Sequence, residues 1–219
     1  MNSPLIIQRP KEPRQLFLLF HGAGGNANDM QELGTRLAGI FPQAAIVSLP
    51  GLEACTDGQG KQWFAQQHDD PQTCIANALP AFAATIAQWQ TDTGVEPQAT
   101  ALIGFSQGGA MVLECTQRSK ALAGRAIVLS GHFGVSPTLP ALDTTIHLLH
   151  GYDDEQSPRQ QAEQAAQALT ELGSDFTLDI LPGVAHELAP AITDKLLERL
   201  LTTVPRRIWE AAMREAGSQ

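Results

Sequence analysis

One serine of this chain stands in a sequence context that could make it a nucleophile. Residues 104–108 read Gly-Phe-Ser-Gln-Gly, a G-x-S-x-G pattern with an apolar, strand-like run before it and a helical run after it. At such a strand-to-helix turn the serine adopts strained dihedral angles, and the flanking glycines remove Cβ clashes. The Ser106 hydroxyl would then project from the carboxyl edge of a sheet, at a helix N-terminus. The same residues could also form a glycine-rich turn with a serine that caps the helix.

A serine hydroxyl needs a base to take its proton, and suitable groups follow in the chain. The adjacent acids Asp153 and Asp154 come after an apolar run that ends at His150, and His186 lies in a loop before the last long helix. The order serine, aspartate, histidine at the ends of later strands is the one that α/β-hydrolases use. The spacing leaves both aspartates open as partners of His186, and a surface or capping role for the histidine also stays open. A zinc site of the H-E-x-x-H type is excluded because position 190 is proline.

A glycine-rich loop at residues 21–26 admits two chemistries. It could supply an oxyanion hole, in which the backbone N–H groups of Ala23 and Gln107 bind the negative oxygen of a tetrahedral intermediate. Residues 22–27 also satisfy the dinucleotide-binding pattern G-x-G-x-x-G/A after a strand. That pattern needs an acidic residue about 20 positions later, and residues 43–52 contain none. We therefore favour the oxyanion hole.

Composition limits the classes of function. The 219 residues are 43% hydrophobic, which suits one domain with a sizeable core. A formal net charge of −9 argues against binding to nucleic acid or to anionic lipid, and it suits a small neutral substrate. Three cysteines without C-x-x-C spacing indicate reduced thiols. No signal peptide or apolar spanning segment is recognisable, so we expect a cytoplasmic protein without stable membrane insertion.

Short apolar runs alternate with helical segments, which predicts an α/β fold with a mostly parallel sheet flanked by helices and no cap domain. Strands are predicted at residues 15–21, 44–49, 100–105, 125–130, 145–150 and 175–181, with 5–8 as an antiparallel edge. Helices are predicted at residues 28–41, 72–90, 107–118, 158–172 and 189–203. Pro80 should kink or divide the second helix.

Two long loops and a C-terminal extension complete a single domain of residues 1–219. The loops, 50–71 and 131–143, are candidate pocket walls. Trp63 and Phe64 are candidate substrate-binding residues, with ordinary packing against the core as the alternative. Residues 205–217 predict an additional amphipathic helix that packs on its own domain, and a homodimer contact stays open.

Several blocks together resemble the phospholipase/carboxylesterase family of α/β-hydrolases, which includes acyl-protein thioesterases. They are Phe-His-Gly-Ala-Gly at 20–24, Gly-Phe-Ser-Gln-Gly-Gly at 104–109, and the pattern H-G-x-x-D-x-x-x-P that begins at His150. The resemblance implies a catalytic Ser106, Asp154 and His186, oxyanion donors at Ala23 and Gln107, and no cofactor or metal. The H-G-x-x-D pattern of the family selects Asp154 over its neighbour.

The resemblance also implies the reaction, which is hydrolysis of carboxylic esters or thioesters. We expect a serine carboxylesterase that acts on short- to medium-chain acyl esters as small-molecule substrates, without nucleic-acid partners. The alternatives are a lysophospholipase or acyl-protein thioesterase, or an acyltransferase or perhydrolase on the same scaffold. A binding module without catalysis ranks last, because all three reactive residues are present.

Overall fold

A computed structural model describes residues 3–55, 58, 60–65, 70–118 and 120–216. Within these residues the apolar runs form nine strands. No helix among them combines the length and apolar character needed to cross a membrane. The strands are β1 (Leu5–Gln8), β2 (Gln15–Phe20), β3 (Ala44–Leu49), β4 (Glu53–Ala54), β5 (Lys61–Gln62), β6 (Thr100–Phe105), β7 (Arg125–Leu129), β8 (Thr145–Gly151) and β9 (Asp175–Leu181).

Seven of the strands form one sheet in the order β1-β3-β2-β6-β7-β8-β9. β1 pairs antiparallel with β3 at the edge, and every other neighbouring pair in this sheet is parallel. β4 and β5 pair with each other as a separate short ribbon. In a parallel sheet all carboxyl ends lie at one edge, so the loops after β6, β7, β8 and β9 meet there. The predicted mostly parallel sheet and its antiparallel edge strand are confirmed.

Six α-helices in the described part of the chain accompany the sheet and lie close to the predicted segments. They are α1 (Gln31–Ile40), α2 (Pro71–Thr93), α3 (Gln107–Cys115), α4 (Gln160–Glu171), α5 (Pro190–Thr202) and α6 (Arg206–Ala216). Helices α2, α3 and α4 contribute to the core on one face of the sheet, and α1 and α5 to the core on the other. Both faces are therefore covered, which explains why the central strands read as continuous apolar runs.

Pro80 does not divide its helix, so that part of the prediction is wrong. α2 runs continuously from Pro71 to Thr93 with Pro80 inside it, and Asp70 caps its first turn by accepting from the Thr73 amide. Residues on both sides of the proline, Ile75 and Phe82, are buried in the core. A proline in a helix interior costs about 3 kcal/mol. Burial of the flanking side chains offsets a cost of that size.

Helix α6 is attached differently from the prediction, which had it pack its apolar face on its own domain. No residue of α6 is buried, and Trp209 and Met213 are 63% and 59% exposed. The contacts at its start are polar. The Arg206 amide donates to Asp175 Oδ2 at 2.9 Å, and Arg207 Nη1 donates to Thr145 Oγ1 at 3.3 Å. The described contacts at the start of the helix are therefore polar, and its apolar residues Ile208, Trp209 and Met213 are exposed.

Stability measurements can test which aromatic groups belong to the core. Phe82 is fully buried and packs on Phe20, with ring centroids 4.5 Å apart. We expect Phe82→Ala to lower the free energy of unfolding by about 3 to 5 kcal/mol, because a buried ring is lost and a cavity is left. Trp209→Ala, at an exposed site, should change it by no more than about 0.5 kcal/mol. Urea denaturation measures both, and similar losses in the two variants would contradict this placement of the core.

Candidate active site

Ser106 occupies the sharp turn between β6 and α3. Its backbone dihedral angles are φ 52° and ψ −117°, a combination that residues other than glycine rarely adopt. The neighbours of the turn must be glycines. A Cβ at Gly104 would lie 2.3 Å from the Gly108 carbonyl oxygen, and one at Gly108 would lie 2.4 Å from the Phe20 carbonyl oxygen. The close approach of α3 to the strands thus fixes the serine at the carboxyl edge of the sheet.

A continuous chain of hydrogen bonds joins the serine to a histidine and a carboxylate. His186 Nε2 lies 3.0 Å from Ser106 Oγ, and His186 Nδ1 lies 2.8 Å from Asp154 Oδ2. A carboxylate can only accept, so the imidazole proton sits on Nδ1. Nε2 then presents its lone pair to the serine hydroxyl, which is the arrangement a general base requires.

The carboxylate of Asp154 is buried and well supplied with donors. Its Oδ1 accepts from the amides of Gln156 at 3.1 Å and Ser157 at 2.8 Å. Burial raises the pKa of Asp154, but the hydrogen bonds from the Ser157 amide and from His186 outweigh it, so that the pKa lies below its usual value. The group is therefore an anion at neutral pH and favours a positive charge on the imidazole beside it.

The structure distinguishes the two adjacent aspartates that the spacing left open. Asp153 is exposed, and its Oδ2 accepts from the Gly183 amide at 2.9 Å. This contact fastens the turn that carries the histidine loop. Asp154 is buried, and its Oδ2 lies 2.8 Å from His186 Nδ1.

The glycine-rich loop after β2 lies against the serine turn. A Cβ on Gly22 would stand 3.3 Å from Ser106 Cβ. Buried His21 holds the loop: its Nδ1 lies 2.6 Å from the Gly22 carbonyl oxygen, and its Nε2 accepts from the Gly51 amide at 3.0 Å. Burial lowers the pKa of His21, which keeps the ring neutral and leaves Nε2 free to accept. The loop that carries Ala23 is therefore held beside Ser106.

The other predicted oxyanion donor, Gln107, has a second task that the sequence did not reveal. Its backbone amide belongs to the first turn of α3, where N–H groups have no acceptor within the helix. Its side chain ties down the segment after β5, since Oε1 accepts from the Trp63 amide at 2.7 Å and Nε2 donates to the Phe64 carbonyl oxygen at 2.9 Å. The residue thereby links the serine turn to a wall of the site.

The two predicted lining aromatics lie in different places. Trp63 is 2% exposed, packs edge-on against Phe20, and donates from Nε1 to the His21 carbonyl oxygen at 2.7 Å. Trp63 is part of the core and is not among the residues that line the cavity above Ser106. Its position corresponds to the alternative of ordinary packing against the core. Phe64 does line that cavity.

The cavity above Ser106 has a volume of about 190 Å³. Both predicted wall loops contribute to it, the first through Phe64 and the second through His132 and Gly134, while the start of α2 adds Ile75. Burial, together with the neighbouring His150, lowers the pKa of His132, so the His132 ring is neutral. The sequence analysis did not single out His132, Ile75 or Ser130, because no local pattern marks them as lining. The described lining is largely uncharged, which suits a neutral substrate.

No group of three or more histidine, cysteine, aspartate or glutamate side chains in the described part of the chain could hold a metal ion.

Comparison with known proteins identifies the family. A sequence profile described as phospholipase/carboxylesterase matches residues 1–203. The chain belongs to the phospholipase/carboxylesterase family. It is 38% identical over 216 residues to the esterase YpfH of Escherichia coli strain K12, covering 97% of this chain and 93% of that one. It is also 24% identical to acyl-protein thioesterase 1 of Emericella nidulans, over 93% of this chain and 96% of that one.

Solved structures agree with this family membership. The crystal structure of esterase PE8 has a TM-score of 0.77 and 26% identity, and the match covers 86% of this chain and 92% of that one. The resemblance drawn from the sequence blocks, the α/β-hydrolase fold and the assignment to the hydrolases are thus confirmed.

Substitution of each adjacent aspartate tests the geometry of this family member directly. We expect Asp154→Asn to lower kcat for p-nitrophenyl butyrate by about 10³- to 10⁴-fold, because the amide would no longer hold the imidazole in the reactive tautomer. Asp153→Asn is the matched control and should leave kcat near the native value, since an amide oxygen can still accept from Gly183. The reverse ranking of the two variants would overturn the assignment.

Proposed function

We propose that the protein is a serine carboxylesterase that hydrolyses short- to medium-chain acyl esters through an acyl-enzyme on Ser106. The observation that carries the proposal is the unbroken chain from Ser106 Oγ through His186 to Asp154, with contacts of 3.0 and 2.8 Å. The position of Ser106 beside a cavity and at the start of α3 also supports the proposal. Membership of a family of esterases fits the same chemistry.

In the first step, Ser106 Oγ attacks the carbonyl carbon of the ester while His186 Nε2 takes the hydroxyl proton. Asp154 stabilises the imidazolium that forms. The carbonyl oxygen becomes negative and accepts from the amides of Ala23 and Gln107, and each such donor is typically worth about 10²- to 10³-fold in kcat. The tetrahedral species then collapses, the imidazolium gives its proton to the departing alkoxide, and an alcohol leaves.

In the second step, a water molecule enters the site that the alcohol has left. His186 takes a proton from the water as its oxygen attacks the acyl carbon. The second tetrahedral species expels Ser106, which regains its proton from the imidazolium, and a carboxylic acid is released. The balance of both steps is one ester and one water giving one alcohol and one acid, so that no other reactant is needed.

The size of the cavity supports the choice of acyl chain. About 190 Å³ is below the range of roughly 300 to 1,000 Å³ that pockets for drug-sized ligands occupy. A second cavity of about 350 Å³ has Leu52, Trp63 and Ala78 in its lining. Phe64 belongs to the lining of both cavities, so its ring limits the length of chain that the site accepts.

A thioesterase is the second candidate, and the match to acyl-protein thioesterase 1 favours it. The same three residues would cleave a thioester by the same two steps. Comparing kcat/KM for butyryl and octanoyl chains, each as oxygen ester and as thioester, separates the two candidates.

Replacement of the nucleophile tests the proposal itself. Ser106→Ala should abolish hydrolysis of p-nitrophenyl butyrate and labelling by a fluorophosphonate probe, because the alanine side chain has no oxygen to be acylated. Mass spectrometry of the labelled native protein should locate the probe on Ser106. Turnover retained in the purified variant, or a probe attached elsewhere, would refute the proposal.

Replacement of Phe64 tests the acyl-length assignment. We expect Phe64→Ala to raise the ratio of kcat/KM for octanoyl over butyryl esters by about tenfold, because the two cavities merge and additional methylenes are buried. Phe41→Ala is the matched control: this half-buried phenylalanine packs on Phe17 away from the site, and its loss should leave the ratio unchanged. An unchanged ratio in Phe64→Ala would show that the ring does not limit chain length.

A further inference from the structure

Two residues other than glycine have positive φ angles in the described part of the chain, and both are serines at the carboxyl edge of the sheet. They are Ser106 at 52° and Ser130 at 51°. Ser130 directly follows β7, the strand next to β6. This conformation costs a residue with a side chain about 1 kcal/mol or more, and it persists where the surroundings enforce it. The nucleophile turn explains the angle at Ser106 but not the one at Ser130.

The hydroxyl of Ser130 is also unusual. The residue is 1% exposed, and its Oγ is buried without a partner in regular hydrogen-bonding geometry among the described residues. Its backbone is fixed, because the amide donates to the Leu149 carbonyl oxygen at 2.9 Å and continues the ladder between β7 and β8. A buried hydroxyl without a partner costs about 1 to 3 kcal/mol. Strain and an unused donor at one residue point to a function.

The acceptor near this hydroxyl is the carboxylate of Asp154. Ser130 lines the same cavity as Gln156 and Ser157, whose amides bind this carboxylate, and Ser130 helps to lower the pKa of Asp154. Three of the roughly four acceptor positions of the carboxylate are used, by Gln156, Ser157 and His186. One position is left for a further donor.

The other candidate for that position is His150, which faces the same carboxylate. His150 Nε2 lies 3.5 Å from Asp154 Oδ2, but the same nitrogen lies 2.6 Å from the Ser157 carbonyl oxygen and donates to it. Its proton is therefore already used. His132, the remaining imidazole near this group, lies 3.5 Å from the Ser157 hydroxyl through Nδ1. Ser130 is left as the donor for the open position.

We propose that Ser130 is a positioning residue for the reaction, whose hydroxyl donates to the Asp154 carboxylate and holds it in the orientation that aligns His186 with Ser106. The proposal rests on the hydrolytic role assigned above to these three residues. A glycine at 130 would adopt the same backbone without strain but would have no hydroxyl. An alanine would keep the strain and lose the donor. The two substitutions therefore separate the contribution of the hydroxyl from that of the backbone.

Kinetics of Ser130→Ala and Ser130→Gly test the proposal. Both variants should lower kcat for p-nitrophenyl butyrate by about tenfold with little change in KM, as expected for loss of one hydrogen bond to a charged group. Ser48→Ala is the matched control, since Ser48, in β3, also carries a buried hydroxyl for which the described residues provide no partner. Its kcat should stay at the native value. Ser130→Gly should be at least as stable to urea as Ser130→Ala, which keeps the result independent of folding.

The pH profile distinguishes positioning from a purely structural role. Without the hydroxyl, the Asp154 carboxylate is less stabilised when His186 is neutral and binds the imidazolium more strongly, so the protonated pair is favoured. The acid limb of kcat/KM should move to higher pH by about half a unit in both Ser130 variants. It should not move in Ser48→Ala.

A measurement without turnover separates this proposal from the hydrolytic one. NMR titration of the His186 imidazole in the full chain should show the same upward shift in Ser130→Ala. Activity retained in Ser106→Ala would refute the proposed function, yet the titration would still decide the role of Ser130. An unshifted titration overturns the positioning role. A raised KM with an unmoved acid limb also overturns it, because the hydroxyl would then contact the substrate within the cavity that it lines.

Discussion

The close approach of helix α3 to strands β2 and β6 is the constraint on which the rest of the site depends. At Gly104 and Gly108 the backbones meet at distances that no Cβ could tolerate, and the turn between them forces Ser106 into its positive φ. The same approach brings the start of α3 beside the loop that follows β2. Because one contact places both the serine and the N–H groups around it, a small shift of α3 would disturb the two together.

Parallel pairing then brings the remaining groups to the same place. β6, β7, β8 and β9 are neighbours in the sheet, so Ser106, Ser130, Asp154 and His186 follow one another along its carboxyl edge. The negative charge of Asp154 explains why its carboxylate has several hydrogen-bond donors around it. A buried carboxylate is costly unless hydrogen bonds satisfy it, and the amides after β8 together with the imidazole keep the pKa of Asp154 low. An anion held in this way stabilises the positive imidazole that the proposed reaction creates.

The walls of the site are fixed by side chains that take no part in the chemistry. His21 and Gln107 bind backbone groups of the segment that includes Gly51, Trp63 and Phe64. That segment contributes Phe64 to the cavity lining, so the cavity depends on the same network that positions the glycine-rich loop. Helix α6 is separate from this network, since its first residues bind Thr145 and Asp175, at the opposite ends of β8 and β9.

The sequence by itself determined the order of strands and helices, the serine turn, and the loops from which Asp154 and His186 come. Those features depend on local periodicity and on glycines, which can be read from neighbouring residues. Spacing alone could not separate Asp153 from Asp154 or Trp63 from Phe64. It also gave no sign of which way the apolar side of α6 faces, or that Ser130 lies near the carboxylate. Each of these depends on the direction of one side chain, and contacts with residues far away in the chain set that direction.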